Sequence, residues 1–67
     1  MDLKEFGKTI KHRRKLLNIT QKDLAGISGV TLRKLIDIEN GVANPTIKTI
    51  IKLTESLGLS LELKVKS

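Results

Sequence analysis

The segment Thr20–Gly41 constrains the fold of this chain more than any other stretch of its sequence. It holds two short runs in which apolar residues recur at helical spacing, and Gly29 separates them. Thr20 and Thr31 stand where each run would need an N-cap, and an Asn-Gly pair supplies a stop signal after the second. This layout predicts a helix-turn-helix, a motif whose second helix is presented to the major groove of DNA.

Residues inside this segment match the packing needs of such a motif. Ala25 is small enough for the crossing of the two helices, and Gly29 supports the positive φ of the turn. Asp23 lies three residues after Thr20, a spacing typical of a capping box. We expect the apolar residues of the two helices to pack together between them: Leu24, Val30, Leu35 and Ile38.

Two further helices are predicted on either side of the segment. Asp2 is the expected cap of a first helix over residues 3–17, which Asn18 ends. Thr46 is the expected cap of a fourth helix that ends at Gly58. Both have apolar residues at helical spacing: Leu3, Phe6, Ile10 and Leu17 in the first, and Ile47, Ile50, Ile51, Leu53 and Leu57 in the fourth.

The tail of the chain has a different period. Its large aliphatic residues alternate with polar ones and are Leu59, Leu61, Leu63 and Val65. Alternation predicts a strand with one buried face, and a lone strand needs a partner. We expect this strand to pair with the same strand of a second copy about a two-fold axis. The chain then consists of a DNA-binding domain over residues 1–58 and a dimerisation strand over residues 59–67. A disordered basic tail is the alternative.

The charge of the chain favours a polyanionic partner. Thirteen Lys and Arg against seven Asp and Glu give a net charge of +6, although such a surface can also serve solvation alone. Phe6 is the one aromatic residue, which argues against an interfacial membrane helix and against a single-strand binder that stacks bases. Duplex DNA, held at its phosphates and read at base edges, needs no aromatic residues.

Neither catalysis nor export is indicated. His12 is the one histidine and lies in a basic run, and no phosphate-binding loop or metal-ligand cluster is present. The chain has no cysteine, no apolar run near the roughly 20 residues that span a bilayer, and no signal-peptide pattern at its start. We therefore expect a cytoplasmic protein that is not an enzyme and uses no cofactor or metal.

Several short motifs resemble the lambda-repressor-like, or Xre, helix-turn-helix family. They are TQKDLA at the start of the second helix, GVT before the third, ENG at its end, NPT before the fourth, and SLGL after it. The tail SLGLSLELKVK and the stretch LIDIENG are similar to HipB-type antitoxins, whose C-terminal strand pairs across a dimer. The resemblance implies an all-α DNA-binding domain of four helices with a short C-terminal strand.

The resemblance also implies which residues contact DNA. They are Thr20, Gln21, Thr31, Leu32, Arg33, Lys34, Ile36, Asp37, Asn40 and Thr46. Arg33 is the foremost candidate because arginine binds guanine O6 and N7 with two parallel hydrogen bonds; a phosphate contact is its alternative. Ile36 could touch a thymine methyl, and Asp37 could accept from a cytosine amine or pair with Arg33 one turn earlier. Arg13, in an otherwise solvated run, is a secondary phosphate candidate.

In the family, residues matching Arg14 and Glu39 form a structural ion pair between the first helix and the end of the third. The resulting hypothesis is a homodimeric transcriptional repressor on a palindromic operator, with recognition helices about 34 Å apart. Likeness of the tail to antitoxins implies control of its own gene. Two alternatives stay open: an antitoxin that mainly neutralises a HipA-like kinase toxin, and a detached module of a larger machine such as a restriction-modification controller, against which the self-pairing strand argues.

Overall fold

The computed structural model describes residues 2–63 and 65–66 and places four α-helices within them. Their bounds are α1 Leu3–Leu16, α2 Gln21–Ser28, α3 Leu32–Glu39 and α4 Ile47–Ser56. The predicted order of helices is confirmed. No β-strand is present in the described part of this single chain, so pairing of the tail with a second copy stays a prediction. Residues 1, 64 and 67 of the two predicted units lie outside the described residues.

Each helix begins at the side chain that was predicted to cap it. An oxygen of the cap accepts a hydrogen bond from a main-chain N–H of the first turn in all four cases, and the caps are Asp2, Thr20, Thr31 and Thr46. At α2 the bond is reciprocated, because the N–H of Thr20 donates to Asp23 Oδ2 at 2.9 Å. Hydrogen bonds to its carboxylate, first from the main chain and then from the side chain of Thr20, lower the pKa of Asp23 below its ordinary value. Replacing such a cap by alanine typically costs about 1 kcal/mol.

Three of the helices end in the same hydrogen-bond pattern. After α3, the N–H of Gly41 donates to Ile38 and the N–H of Val42 donates to Asp37, both at 3.0 Å. This pair of bonds is a Schellman motif, which needs a residue with positive φ at its centre. The same pattern follows α1 and α4, and the central residues are Asn18, Gly41 and Gly58. The predicted stop signals are therefore confirmed.

The core lies where the helices face one another. Its fully buried side chains are Ile10, Leu24, Leu35, Ile38, Leu53 and Leu57. Val30 is also buried, and Ala25 packs against this cluster, so the predicted packing of the helix-turn-helix is confirmed. Contacts join α1 to α3, α2 to α3 and α2 to α4. Burial of one such aliphatic side chain contributes about 1.5–3 kcal/mol.

Three apolar residues assigned to helical stripes are exposed and do not belong to the core. Leu17 forms the C-cap of α1, where the chain turns away, and is not in the helix. Ile47 is the first residue of α4, and Ile51 lies one turn later on the same outer face. Two polar residues of α4, Thr49 and Thr54, are buried. A stripe read from spacing alone does not reveal which edge of it faces the core.

Gly7, which sequence reasoning missed, sets the distance between α1 and the end of α3. It is buried, and a Cβ at this position would overlap the main-chain oxygen of Ile38 and lie 2.8 Å from that of Glu39. Gly41 makes a second close approach, because its Cβ would lie 2.9 Å from the Cα of Lys4. The backbones of α1 and α3 therefore touch, which holds the orientation of α3. A glycine within a helical pattern was the available signal.

Candidate DNA interface

The helix α3 has one buried and one exposed face. Leu35 and Ile38 are completely enclosed, whereas its first turn is in solvent together with the capping threonine. The predicted contacts in this part of the chain are all exposed and are Thr31, Leu32, Arg33 and Lys34. The side chain of Arg33 is 85% exposed. Such a helix can lay its N-terminal half in a groove while its other face stays packed.

The two unusual residues of α3 are half-buried. Ile36 and Asp37 lie at the border between the packed and exposed faces. Oδ2 of Asp37 is 3.5 Å from Nε of Arg33, so an ion pair one turn apart joins them. Asp37 was predicted either to accept from a cytosine amine or to pair with Arg33, and the structure contains the pair with Arg33.

Arg14 and Glu39 form a buried ion pair that holds α1 against the end of α3. Arg14 Nε donates to Glu39 Oε2 at 2.7 Å, and Nη2 donates to Oε1 at 2.9 Å. Nη1 also donates to the carbonyl of Ile19 at 3.0 Å. The hydrogen bond to Glu39 and the charge of that carboxylate raise the pKa of Arg14, while burial opposes them. The geometry agrees with the structural role that the resemblance implied.

Gln21 links the start of α2 to this pair. Its Nε2 donates to Glu39 Oε1 at 3.1 Å, so the amide side chain of a predicted DNA contact is engaged within the protein. An open groove at this place is lined by Arg14, Lys15, Asn18, Ile19, Thr20 and Gln21. Free N–H groups at a helix start favour an anion, and Lys15 adds positive charge. The groove therefore has the chemistry of a phosphate contact.

The remaining predicted contacts occupy helix ends. Thr20 and Thr46 are exposed, yet their hydroxyl oxygens already accept from the first turns of α2 and α4. The hydroxyl of Thr46 also bonds that of Thr49 at 3.1 Å. Asn40 is exposed as the C-cap of α3. These polar groups border α3 in sequence on both sides.

The environment of Arg13 differs from the prediction, which placed it in a solvated run as a secondary phosphate candidate. It is half-buried, and its Nε donates to the carbonyl of Leu57 at 2.9 Å. Leu57 is the C-cap of α4, where main-chain carbonyls lack helical partners and favour a cation. Arg13 therefore ties α1 to the end of α4. Sequence alone gave no sign of this contact, which joins residues 44 positions apart.

The predicted dimerisation residues separate into two groups. Leu59 is half-buried against the chain's own core, and its N–H donates to the carbonyl of Thr54 at 2.8 Å. Leu61, Leu63 and Val65 are exposed, the last two to 96%. A groove between the tail and α4 is lined by Ile51, Thr54, Glu55, Leu59, Ser60 and Leu61. Apolar side chains of both α4 and the tail thus remain uncovered in one chain.

Neither a metal-binding cluster nor a membrane-spanning helix occurs among residues 2–63 and 65–66. No group of three His, Cys, Asp or Glu side chains there is placed to hold a metal ion. None of the helices in this range has the length and apolar character required to cross a membrane.

Comparison with known proteins identifies the class. A helix-turn-helix family model matches residues 10–64, so the chain belongs to that family, of the Xre or lambda-repressor-like type. Members of this kind bind DNA and regulate transcription, and that is the class of protein to which this chain belongs.

Individual relatives agree with this assignment. An uncharacterised HTH-type transcriptional regulator of Sinorhizobium fredii is 32% identical over 88% of this chain and 78% of its own. Another from Methanocaldococcus jannaschii is 38% identical over 79% of this chain and 80% of its own. Among solved structures, the restriction-modification controller protein C.AhdI of Aeromonas hydrophila matches with a TM-score of 0.83 and 29% identity, covering 88% of this chain and 86% of that one.

Proposed function

We propose that the chain represses transcription as a homodimer bound to a palindromic operator. The exposed first turn of α3, with Arg33 extended into solvent beside a packed opposite face, carries this proposal. A DNA-binding protein that inserts one short helix into the major groove contacts few base pairs, and a two-fold pair of such helices doubles that number. Occupancy of a promoter by such a dimer blocks polymerase and requires no catalytic group, cofactor or metal. We accordingly propose a cytoplasmic, non-enzymatic protein.

The uncovered apolar side chains support the dimer. Leu63 and Val65 are almost fully exposed in one chain, and Ile47 and Ile51 leave part of α4 apolar. Alternation in the tail would place Leu61, Leu63 and Val65 on one face of a strand. Two such strands, antiparallel about a two-fold axis, would satisfy each other's main-chain groups and cover these side chains.

Selection from DNA tests the proposal. The purified chain is incubated with a random-sequence duplex pool, and bound fragments are amplified and sequenced. We expect an inverted repeat whose half-sites lie about 10 base pairs apart, one turn of the duplex. Sedimentation of the complex should give two chains per duplex. Fragments without a common sequence, or with a single half-site and one chain bound, would contradict the proposal.

Control of the gene's own promoter follows from the resemblance of the tail and is tested by the same selection on genomic fragments. A second candidate is control of restriction-modification genes, which the likeness to C.AhdI favours. The selected genomic site distinguishes them, because it lies beside either this gene alone or a nuclease and methyltransferase pair. The HipA-like toxin alternative requires a kinase that co-purifies with this chain when neighbouring genes are expressed together.

A further inference from the structure

Asp37 is the residue of α3 whose purpose the proposed function leaves unexplained. A carboxylate near DNA repels phosphate, so its presence on this helix opposes binding unless it serves a partner. That partner is at hand, because Asp37 Oδ2 lies 3.5 Å from Arg33 Nε. The two side chains differ in freedom: 85% of Arg33 is exposed but only 34% of Asp37.

We propose that Asp37 is a positioning residue that orients Arg33 for a guanine and so determines specificity at that base pair. The proposal rests on the function proposed above. A guanidinium can approach guanine end-on, with one N–H from each terminal nitrogen directed at O6 and N7. The contact with Asp37 occupies the Nε edge and leaves that terminal edge for the base.

The end of α3 makes Asp37 a firm support. The carbonyl of Asp37 accepts the Schellman bond from the N–H of Val42 at 3.0 Å, so its backbone belongs to a capped helix end. The half-buried position restricts its side chain further. On this proposal, the attraction of Asp37 restricts the rotamers of Arg33 before DNA arrives. Ordering one long side chain on binding typically costs about 2- to 10-fold in Kd.

The test measures a specificity ratio, defined as Kd for a random duplex divided by Kd for the duplex selected by the unaltered chain. Four proteins are compared: the unaltered chain, Asp37→Asn, Arg33→Ala, and the double variant. We expect Asp37→Asn to lower the ratio by about 2- to 10-fold while leaving or strengthening random-duplex binding, because a negative charge is removed. In the Arg33→Ala background, the same change should leave the ratio unaltered.

A matched control removes a carboxylate elsewhere. Glu5 is exposed in the first turn of α1, and Glu5→Gln should leave the ratio unchanged. An equal fall for Asp37→Asn in both backgrounds would overturn the proposal, since Asp37 would then read a base itself. An unchanged ratio in Asp37→Asn would also overturn it. If the unaltered chain shows no sequence preference at all, the proposed function falls together with this inference, an outcome distinct from the other two.

Discussion

The guanidinium of Arg14 and the carboxylate of Glu39 are joined by two parallel hydrogen bonds, of 2.7 and 2.9 Å, between α1 and the end of α3. Only 9% of the arginine side chain and 1% of the glutamate side chain is exposed. Glu39 also accepts from Gln21 at 3.1 Å, so a single carboxylate holds three helices together. The orientation of α3, the proposed recognition helix, therefore depends on a buried ion pair between α1 and the end of α3.

We expect Glu39→Gln to lower the free energy of unfolding by about 3–5 kcal/mol, because the charge of Arg14 would remain buried without a counterion. Urea denaturation followed by circular dichroism measures the loss. Domains of this length have only about 3–10 kcal/mol in total, so a variant that is unfolded in buffer is titrated with trimethylamine oxide instead. Loss below about 1 kcal/mol would contradict a buried structural pair.

The exposed pair on α3 provides the control for this prediction. Arg33→Ala also removes an arginine–carboxylate ion pair, but one that is exposed and lies within a single helix, and should change stability by no more than about 0.5 kcal/mol. Replacing both buried partners, Arg14→Met with Glu39→Leu, should cost less than the two single losses added together, because neither charge is then stranded. A sum equal to the single losses would show that the two side chains act independently.

Gly7→Ala should destabilise the fold although alanine favours helices. Its Cβ would overlap the main-chain oxygen of Ile38, and backbone cannot move aside as a side-chain end can. We expect a loss of about 1–3 kcal/mol, typical of overpacking. Thermal denaturation of the matched variant Gly26→Ala provides the comparison, since a Cβ there meets no atom within 4 Å in α2. That variant should gain up to about 1 kcal/mol from helix propensity.

Stability should depend on pH through Asp23. Hydrogen bonds from Thr20 lower the pKa of Asp23 in the folded state below that of the unfolded chain, so the carboxylate stabilises the fold above about pH 4. This contribution is lost as the pH falls through the folded-state pKa, where the unfolded chain has already taken up its proton. We expect Asp23→Asn to melt below the unaltered chain at pH 7 and the difference to close as the pH falls from about 4 through the lower folded-state pKa. A difference that stays constant over this range would contradict the assignment.

The local signals of the sequence predicted the helix ends well. Thr31 caps α3 and Gly41 ends it, because capping depends on a few consecutive residues and on the φ each can adopt. The long-range contacts were not predictable in the same way. Gly7 meets main-chain atoms of α3, and Arg13 bonds a carbonyl 44 residues away, and no spacing rule connects such positions.

The candidate interface shows the same division. Exposure of Arg33 follows from the amphipathic pattern of α3, whose apolar residues mark the opposite face. The hydrogen bond from Gln21 to Glu39 does not follow from such a pattern, because Glu39 lies on another helix and was assigned to the ion pair with Arg14. The alternating pattern of the tail indicated apolar residues that become buried against a partner. The contact of Leu59 with the chain's own core could not be predicted from that pattern, because it depends on where α4 ends.

Arg33→Ala should weaken binding to the selected duplex by about 1–3 kcal/mol and leave binding to random duplex almost unchanged, because a bidentate base contact discriminates between sequences. Fluorescence anisotropy with both duplexes measures the two values. Lys34→Ala is the neighbouring control: as a phosphate contact it should weaken both duplexes alike and reduce the salt dependence of log Kd by about one unit. Equal losses on both duplexes for Arg33→Ala would make Arg33 a phosphate contact.

Truncation after Ser60 should separate dimerisation from folding. It removes the exposed Leu61, Leu63 and Val65 but keeps Leu59, whose side chain packs on the core and whose N–H completes the Schellman motif of α4. Truncation after Gly58 would delete that support as well and confuse the two effects. We expect the shorter chain to remain folded by circular dichroism yet to sediment as a monomer, with the lower melting temperature that follows from losing a partner that binds the folded state. It should lose most of its affinity for the inverted repeat while keeping weak binding to a single half-site, because the two recognition helices are no longer linked.

The full-length variant Leu61→Ser with Leu63→Ser should behave in the same way, whereas Glu62→Gln, on the opposite face of the predicted strand, should remain dimeric. A truncated chain that still sediments as a dimer would show that α4, through Ile47 and Ile51, joins the two copies without the tail.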